Sequence, residues 1–253
     1  MQEKVGARGP LAGMIPAGSK DFSKNFGRVA AAMQSDAKQL FSERLRAGSE
    51  PNWRAATHHR FVGELAGDVI TDADYARYLV LDYAFLDILV AHVGQAVTIA
   101  PSMAEKRQYS GFLGVLTGDE DDYFLRSFAA MGVAEADWRQ PSQHAVVAGF
   151  RELMLGGEGK LSYAEVLASL LAVEWVYLSW AMPVAGRAPA RFYLKEWIDL
   201  HSDPGFEAFV IWMQSEMDRL GPTLSASERR GVQDIFNRAV ELEVAFFDAA
   251  YGN

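Results

Sequence analysis

The stretch VLASLLAVEWVYLSWAMPV, from Val166 to Val184, carries a single charged residue, Glu174. It is nearly long enough to span a membrane, yet an acid at the centre of a lone span is energetically costly. A helix that is apolar on every side is also what the centre of a soluble helical bundle requires. We therefore predict a buried central helix at about 162–182.

The rest of the chain is also helical in pattern. Apolar residues recur at spacings of three and four, and the alternation typical of strands is scarce. Gly118 and other Gly or Pro residues mark predicted breaks between the helices. Further helices are expected at about 24–45, 53–66, 71–99, 103–117, 119–131, 142–155, 189–200, 204–220 and 225–250. The pattern predicts an all-α multi-helix bundle, one domain at 23–253 after a flexible tail at 1–22.

Composition excludes several classes of function. The chain has 253 residues, a formal net charge of −9 and no cysteine. Disulfides, thiolate metal sites and a cysteine nucleophile are therefore ruled out. A negative surface disfavours nucleic acid and anionic membranes as partners, so a small-molecule ligand is expected. The first residues lack the apolar core of a signal peptide, which is compatible with a cytoplasmic protein.

Three carboxylates fall where helical periodicity places apolar residues. Glu174 lies within the apolar stripe of the 162–182 helix, Glu243 within that of the last helix, and Asp82 within that of the 71–99 helix. A buried, unpaired carboxylate is costly, so each needs a partner, a proton or a function. Each acid could simply pair with an arginine or a hydroxyl. Alternatively, the three share a pocket where like charges raise the pKa, as general acid–base catalysis near neutral pH requires.

A metal site is another possibility that the residues leave open. Di-iron bundles place Glu-x-x-His on inward helix faces, and none of the five histidines has a Glu three positions before it. His92 follows Asp82 on the same predicted helix, so a looser carboxylate–histidine site remains an alternative.

Several segments resemble the TenA/THI-4 family, whose fold is a haem-oxygenase-like helical bundle. The segment His59-Arg60-Phe61-Val62, followed by the run Tyr78 to Phe85, resembles the family's opening. LLAVEWVYLSWA is similar to its central pocket helix, and AVELEVAFFDAAY is similar to its last helix. The resemblance covers roughly residues 25–252, and the order and spacing of the segments make it specific.

The resemblance implies a hydrolase of the thiaminase II class. Members hydrolyse aminopyrimidine breakdown products of thiamin, and some cleave thiamin itself. Asp82 would match the acid that grips the aminopyrimidine edge, and Glu243 the C-terminal pocket glutamate. Val173 stands where the better-known branch has its nucleophilic cysteine, and Glu174 beside it is what the cysteine-free branch looks like. These departures favour aminopyrimidine hydrolysis over thiamin cleavage.

From the resemblance we expect 4-amino-5-aminomethyl-2-methylpyrimidine, or its N-formyl derivative, as substrate in thiamin salvage. Glu174 and Glu243 would be the catalytic acid–base pair. Asp82 would hold the ring edge, and four aromatic side chains would enclose the ring: Phe85, Tyr177, Phe61 and Phe247. The resemblance implies no metal or cofactor, and it implies a homotetramer or a homodimer.

Two alternatives from other classes stay open at this point. One is a haem-oxygenase-like protein that binds a cofactor or a metal, or an oxidase of the same fold. The other is a non-catalytic ligand-binding member of the fold, in which the buried acids serve only as hydrogen-bond partners.

Overall fold

Helices make up nearly all of the regular structure in the computed structural model, which describes residues 40–139, 143–156 and 160–252. No strand occurs within these ranges. A π-helical segment, Leu116–Glu120, joins the helices Met103–Val115 and Asp121–Met131. The α-helices are α1 (Phe41–Gly48), α2 (Asn52–Thr57), α3 (Arg60–Ala66), α4 (Asp72–Ile99), α5 (Met103–Val115), α6 (Asp121–Met131), α7 (Glu135–Trp138), α8 (Ala145–Leu155), α9 (Tyr163–Ala181), α10 (Phe192–His201), α11 (Pro204–Leu220) and α12 (Ala226–Ala249).

Side-chain caps start the three helices that carry the predicted acids. The Thr71 hydroxyl accepts a hydrogen bond from the Asp74 amide at 3.1 Å, at the start of α4. Ser162 begins α9 and Ser225 begins α12, each in a reciprocal capping box with the glutamate three residues later. These caps satisfy backbone N–H groups that the first turn of a helix leaves without partners.

Helix α9 is the centre of the bundle. It packs against α2, α4, α8, α10, α11 and α12, and α4 also packs against α12. Almost every residue of α9 is buried. Because α4, α9 and α12 contact one another, residues on their facing sides lie close together.

Two helical segments among the described residues have the length and the apolar composition that crossing a membrane requires. They are α4 and the segment Tyr163–Val184, which contains α9. The most apolar window of Tyr163–Val184 is 83% buried inside the bundle, against 50% for α4. The predicted buried central helix is therefore confirmed.

The structure corrects three sequence predictions and leaves one untested. The helix predicted at 53–66 is two helices, because His59 caps α3 by accepting from the Phe61 amide. No helix ends at Gly118, since the π-helical segment continues the backbone from α5 into α6. Helix α7 was not predicted. The tail at 1–22, and the predicted helix at 24–45 up to residue 39, lie outside the described residues.

Candidate active site

Asp82, Glu174 and Glu243 lie on α4, α9 and α12, the three helices that pack against one another. Their exposed fractions are 5%, 5% and 1%. The helical spacing thus predicted the face of each helix correctly, and the tertiary structure places the three acids in one buried region.

None of these acids is neutralised by a basic neighbour within the described ranges. Asp82 Oδ2 and Glu174 Oε1 are buried and have no hydrogen-bond partner. The groups whose charges act on Glu174 and Glu243 are other carboxylates. A buried acid without a cation is retained at a cost to stability, which is typical of functional sites.

Burial and mutual repulsion raise the pKa of each acid. Burial raises the pKa of Asp82 to about 7, although the Tyr78 hydroxyl opposes the shift. Burial raises the pKa of Glu174 well above its usual value, and the charges of Glu120 and Asp82 add to this. For Glu243 the causes are burial and then the charges of Asp82 and Glu174. The cluster therefore holds protons near neutral pH, as general acids must.

A cavity of about 670 Å³ opens beside these acids. Its lining includes Asp82 from α4 and Glu174 from α9, together with Phe85 and Tyr177. Glu243 is not among the lining residues. The volume lies within the range of small-molecule sites in proteins, so a single substituted ring fits.

The four aromatic residues expected at the site fall into two layers. Phe85 and Tyr177 line the cavity, and the Tyr177 hydroxyl is 2.8 Å from that of Tyr78. Phe61 and Phe247 are fully buried and stack on each other with ring centroids 5.1 Å apart. They pack behind Tyr177 and Tyr78 and are absent from the lining. In this arrangement they support the wall rather than touch the enclosed space.

Glu120, at the end of the π-helical segment, also lines the cavity, and the sequence reasoning missed it. Burial raises its pKa to about 8, and the charge of Asp82 adds to this. A signal was present, because Tyr109, Phe112, Leu116 and Phe124 are buried at helical spacing, and Glu120 falls in the same series. The break predicted at Gly118 hid that stripe by dividing it between two helices.

His201 is a second lining residue that the sequence reasoning did not select. Its Nδ1 donates to the Trp197 carbonyl at 2.9 Å, so Nε2 is left as an acceptor. Burial lowers its pKa to about 4, which keeps the ring neutral at pH 7. The His201 ring lies against Tyr177, with centroids 4.7 Å apart. The sequence predicted that this helix ends at residue 200, so His201 was not counted among the residues of its buried face.

The lining is strongly acidic. Among the described residues that surround the cavity, Arg107 is the single arginine or lysine. Val173, which the sequence resemblance matches to the cysteine position of the better-known branch, is buried on the cavity wall. The carboxylates of the lining are Asp82, Asp119, Glu120, Glu174, Glu196, Asp199 and Asp203. Glu196 pairs with Arg126 and Asp199 with Lys195, but the other acids still outnumber Arg107, so the lining favours cations over anions.

His92, the candidate for a looser metal site, is engaged in the core instead. Its Nδ1 lies 2.9 Å from the Met154 carbonyl oxygen, and its Nε2 lies 2.8 Å from Ser169 Oγ. Within the described part of the chain, no group of three or more His, Asp or Glu side chains is placed to hold a metal ion.

The raised pKa values predict that the melting temperature falls as the pH rises from 6.5 to about 8. Asp82 and Glu120 hold protons in the folded state up to pH about 7 and about 8, but in the unfolded chain only up to 3.8 and 4.5. The folded state therefore binds more protons in this window, and the free energy of unfolding falls with pH. Below pH 6.5, His92 and His201 act in the opposite direction on stability. Their pKa is about 4 in the folded state, so the unfolded chain binds more protons there and the free energy of unfolding rises with pH.

Scanning calorimetry across pH 6.5 to 8 measures this slope. Asp82→Asn should make it shallower, because the amide does not titrate. A melting temperature that rises over this window, or an equal slope in the variant, would contradict the predicted proton balance.

The described helices form an all-α bundle, and the lining of its cavity includes acids that have no basic partner among the described residues. This combination defines a helical protein with a binding site for a small molecule. The chain belongs to the TENA/THI-4/PQQC family, which it matches over residues 46–253. The resemblance noted in the sequence is therefore confirmed.

Relatives of known name and structure agree with this membership. The chain is 23% identical over 212 residues to a Helicobacter pylori protein named aminopyrimidine aminohydrolase, covering 83% of this chain and 98% of that protein. A TenA family transcription regulator from a Silicibacter species has a similar structure, with a TM-score of 0.74 and 22% identity over 87% of this chain and all of that one. A putative TenA-like thiaminase from Sulfolobus solfataricus gives a TM-score of 0.66 at 14% identity, covering 83% and 95% of the two chains. The structural likeness shows that the predicted all-α fold is correct.

Proposed function

We propose that this protein is a hydrolase of aminopyrimidine breakdown products of thiamin, and that carboxylates perform the chemistry. The observation that carries the proposal is the pair of unpartnered carboxyl oxygens, Asp82 Oδ2 and Glu174 Oε1, on side chains that line one cavity. Family membership and the name of the Helicobacter pylori relative support the substrate class.

In this proposal Asp82 binds the amidine-like edge of a 4-aminopyrimidine. A carboxylate accepts charge-assisted hydrogen bonds from that edge when the ring is protonated. Phe85 and Tyr177 pack on the ring faces. Behind them, Phe247 packs against Tyr177, and Phe61 packs against Phe247. The acidic lining favours a substrate that carries a positive charge.

Glu174 and Glu243 act as a pair in the proposed proton transfer, with Glu174 as the acid and Glu243 as the group that reprotonates it. Glu174 faces the cavity in its protonated form and gives its proton to the departing amine. Glu243, whose pKa responds to the charge of Glu174, returns a proton to it. The chain contains no cysteine, so the reaction proceeds without a thiol. A homo-oligomer, a dimer or a tetramer, belongs to the same proposal because the family resemblance implies it. We also propose a cytoplasmic location, with which the lack of cysteine is compatible.

The proposed activity is tested with the purified protein and a small substrate panel. We expect ammonia from 4-amino-5-aminomethyl-2-methylpyrimidine, or formamide from its N-formyl derivative, and the 5-hydroxymethyl pyrimidine as product from the former. Thiamin itself should be turned over more slowly. No release from any of these compounds, together with no rise in melting temperature in their presence, would reject the proposal.

A further inference from the structure

Glu120 stands where the reaction needs a second group. The proposed hydrolysis requires an acid for the departing amine and a base for the attacking water. Glu174 fills the first role, and Glu243 is absent from the cavity lining. Glu120 lines the cavity, and among the charges that raise the pKa of Glu174 that of Glu120 is the largest. Both carboxyls therefore line one cavity, and their charges interact there.

The π-helical backbone explains how Glu120 comes to line the cavity. Leu116–Glu120 is π-helical, and π-helical turns inside α-helices occur frequently at functional sites. Leu116 at the start of the segment is buried, Asp119 is exposed, and Glu120 is half-buried. Asp119 and Glu120 of this segment both line the cavity, and Glu120 is the more buried of the two.

Partial exposure suits Glu120 to water rather than to the amine. Glu174 is 5% exposed and is the less accessible of the two acids to water. Glu120 lines the same cavity and is half-buried, so it is more accessible to water than Glu174. It can meet an incoming water molecule and later release a proton to bulk solvent.

We propose that Glu120 is a further catalytic residue, the general base that activates water in the aminopyrimidine hydrolysis. This inference rests on the proposed function. Protonated Glu174 gives its proton to the amine nitrogen, and the C–N bond breaks with its electron pair going to that nitrogen. The water oxygen forms the new C–O bond and passes one proton to Glu120, which acts in its ionised form. Because the pKa of Glu120 is about 8, the ionised share grows with pH, and kcat should rise from pH 7 to about 8. Amine and water are consumed, and alcohol and ammonia are formed.

The test compares Glu120→Gln with wild type and with Asp122→Asn. Asp122 lies two residues further on, is largely exposed and pairs with Arg126, so its substitution makes a similar change of charge away from the cavity. With the aminomethyl pyrimidine as substrate, we expect Glu120→Gln to lower kcat by about 10²-fold and to change KM by less than about threefold. Asp122→Asn should keep the wild-type kcat. Glu120→Asp, which retains the carboxyl on a shorter side chain, should recover part of the lost rate.

The outcomes separate the two proposals. Wild-type activity that persists in Glu120→Gln rejects the base role and leaves the proposed function standing. A raised KM at constant kcat assigns Glu120 to binding, and this also rejects the base role. A lowered kcat that comes with a lower melting temperature and no recovery in Glu120→Asp indicates a structural residue and rejects it too. A wild-type enzyme that releases nothing from the panel rejects the proposed function, and the inference falls with it.

Discussion

Glu174→Gln should lower the rate of ammonia release from the aminomethyl pyrimidine by between about 10²-fold and 10⁴-fold. Glutamine has nearly the same shape, but it cannot give a proton to the departing amine. Because the loss concerns the reaction step and not the ground-state complex, kcat should fall and KM should change little. Steady-state kinetics with an ammonia-coupled assay measure both constants.

The same substitution should not destabilise the fold. Glu174 Oε1 has no hydrogen-bond partner, and the neighbouring charges are those of Glu120 and Asp82. Removing a carboxyl from this group relieves repulsion at high pH, so the melting temperature at pH 8 should stay equal or rise. A variant that is inactive because it is unfolded would show the opposite change.

Glu216→Gln is the matched control for a buried glutamate outside the cavity. Glu216 is 6% exposed and pairs with Arg219, whose Nε donates to Glu216 Oε2 at 2.7 Å. The Tyr163 hydroxyl donates to its other oxygen at 3.1 Å. Because this acid has partners, the substitution should lower the melting temperature and leave kcat unchanged. Full activity in Glu174→Gln, or equal losses of activity in both variants, would contradict the catalytic role of Glu174.

Asp82→Asn should weaken binding of the pyrimidine ring by between about 10-fold and 10²-fold. A hydrogen bond to a charged group contributes about 1.5–3 kcal/mol, and each 1.4 kcal/mol is a factor of ten in Kd. Asparagine keeps an oxygen acceptor but loses the charge that a protonated 4-aminopyrimidine favours. Isothermal titration with the 5-hydroxymethyl pyrimidine, the expected product, measures Kd without turnover.

Two controls make this binding test specific. Asp87→Asn changes an exposed acid on the same helix, outside the cavity lining, and should leave Kd unchanged. An analogue without the 4-amino group should bind wild type and Asp82→Asn with similar affinity, since the contact in question is missing from both complexes. Equal weakening for both ligands would show that Asp82 shapes the cavity and does not contact the amino edge.

Much of the architecture follows from local patterns in the chain. Thr71, Ser162 and Ser225 are capping residues at the starts of α4, α9 and α12, and each is followed by an apolar stripe at helical spacing. The acids Asp82 and Glu174 stand out because they interrupt those stripes. Periodicity shows which face of a helix a residue occupies, and for these helices it was sufficient to identify the acids that face inward.

Glu120 and His201 show where periodicity fails. Gly118 is a helix breaker by propensity, yet the backbone stays helical through it as a π-helical segment, and the helices on either side, α5 and α6, both pack against α4. His201 closes a helix whose end was predicted one residue too early. Helix boundaries depend on tertiary contacts as well as on local preference, so residues near a predicted end are the ones most easily missed.

The amino-acid sequence by itself determined the all-α class, the absence of thiol chemistry and the set of acids that face inward from α4, α9 and α12. These properties depend on composition and on spacing along one chain segment. The tertiary structure alone decided that Asp82 and Glu174 open onto a cavity, that Glu243, Phe61 and Phe247 are not part of its lining, and that Glu120 joins it. The physical reason is that spacing fixes the direction of a side chain from its own helix axis, whereas the distance between side chains depends on how separate helices pack.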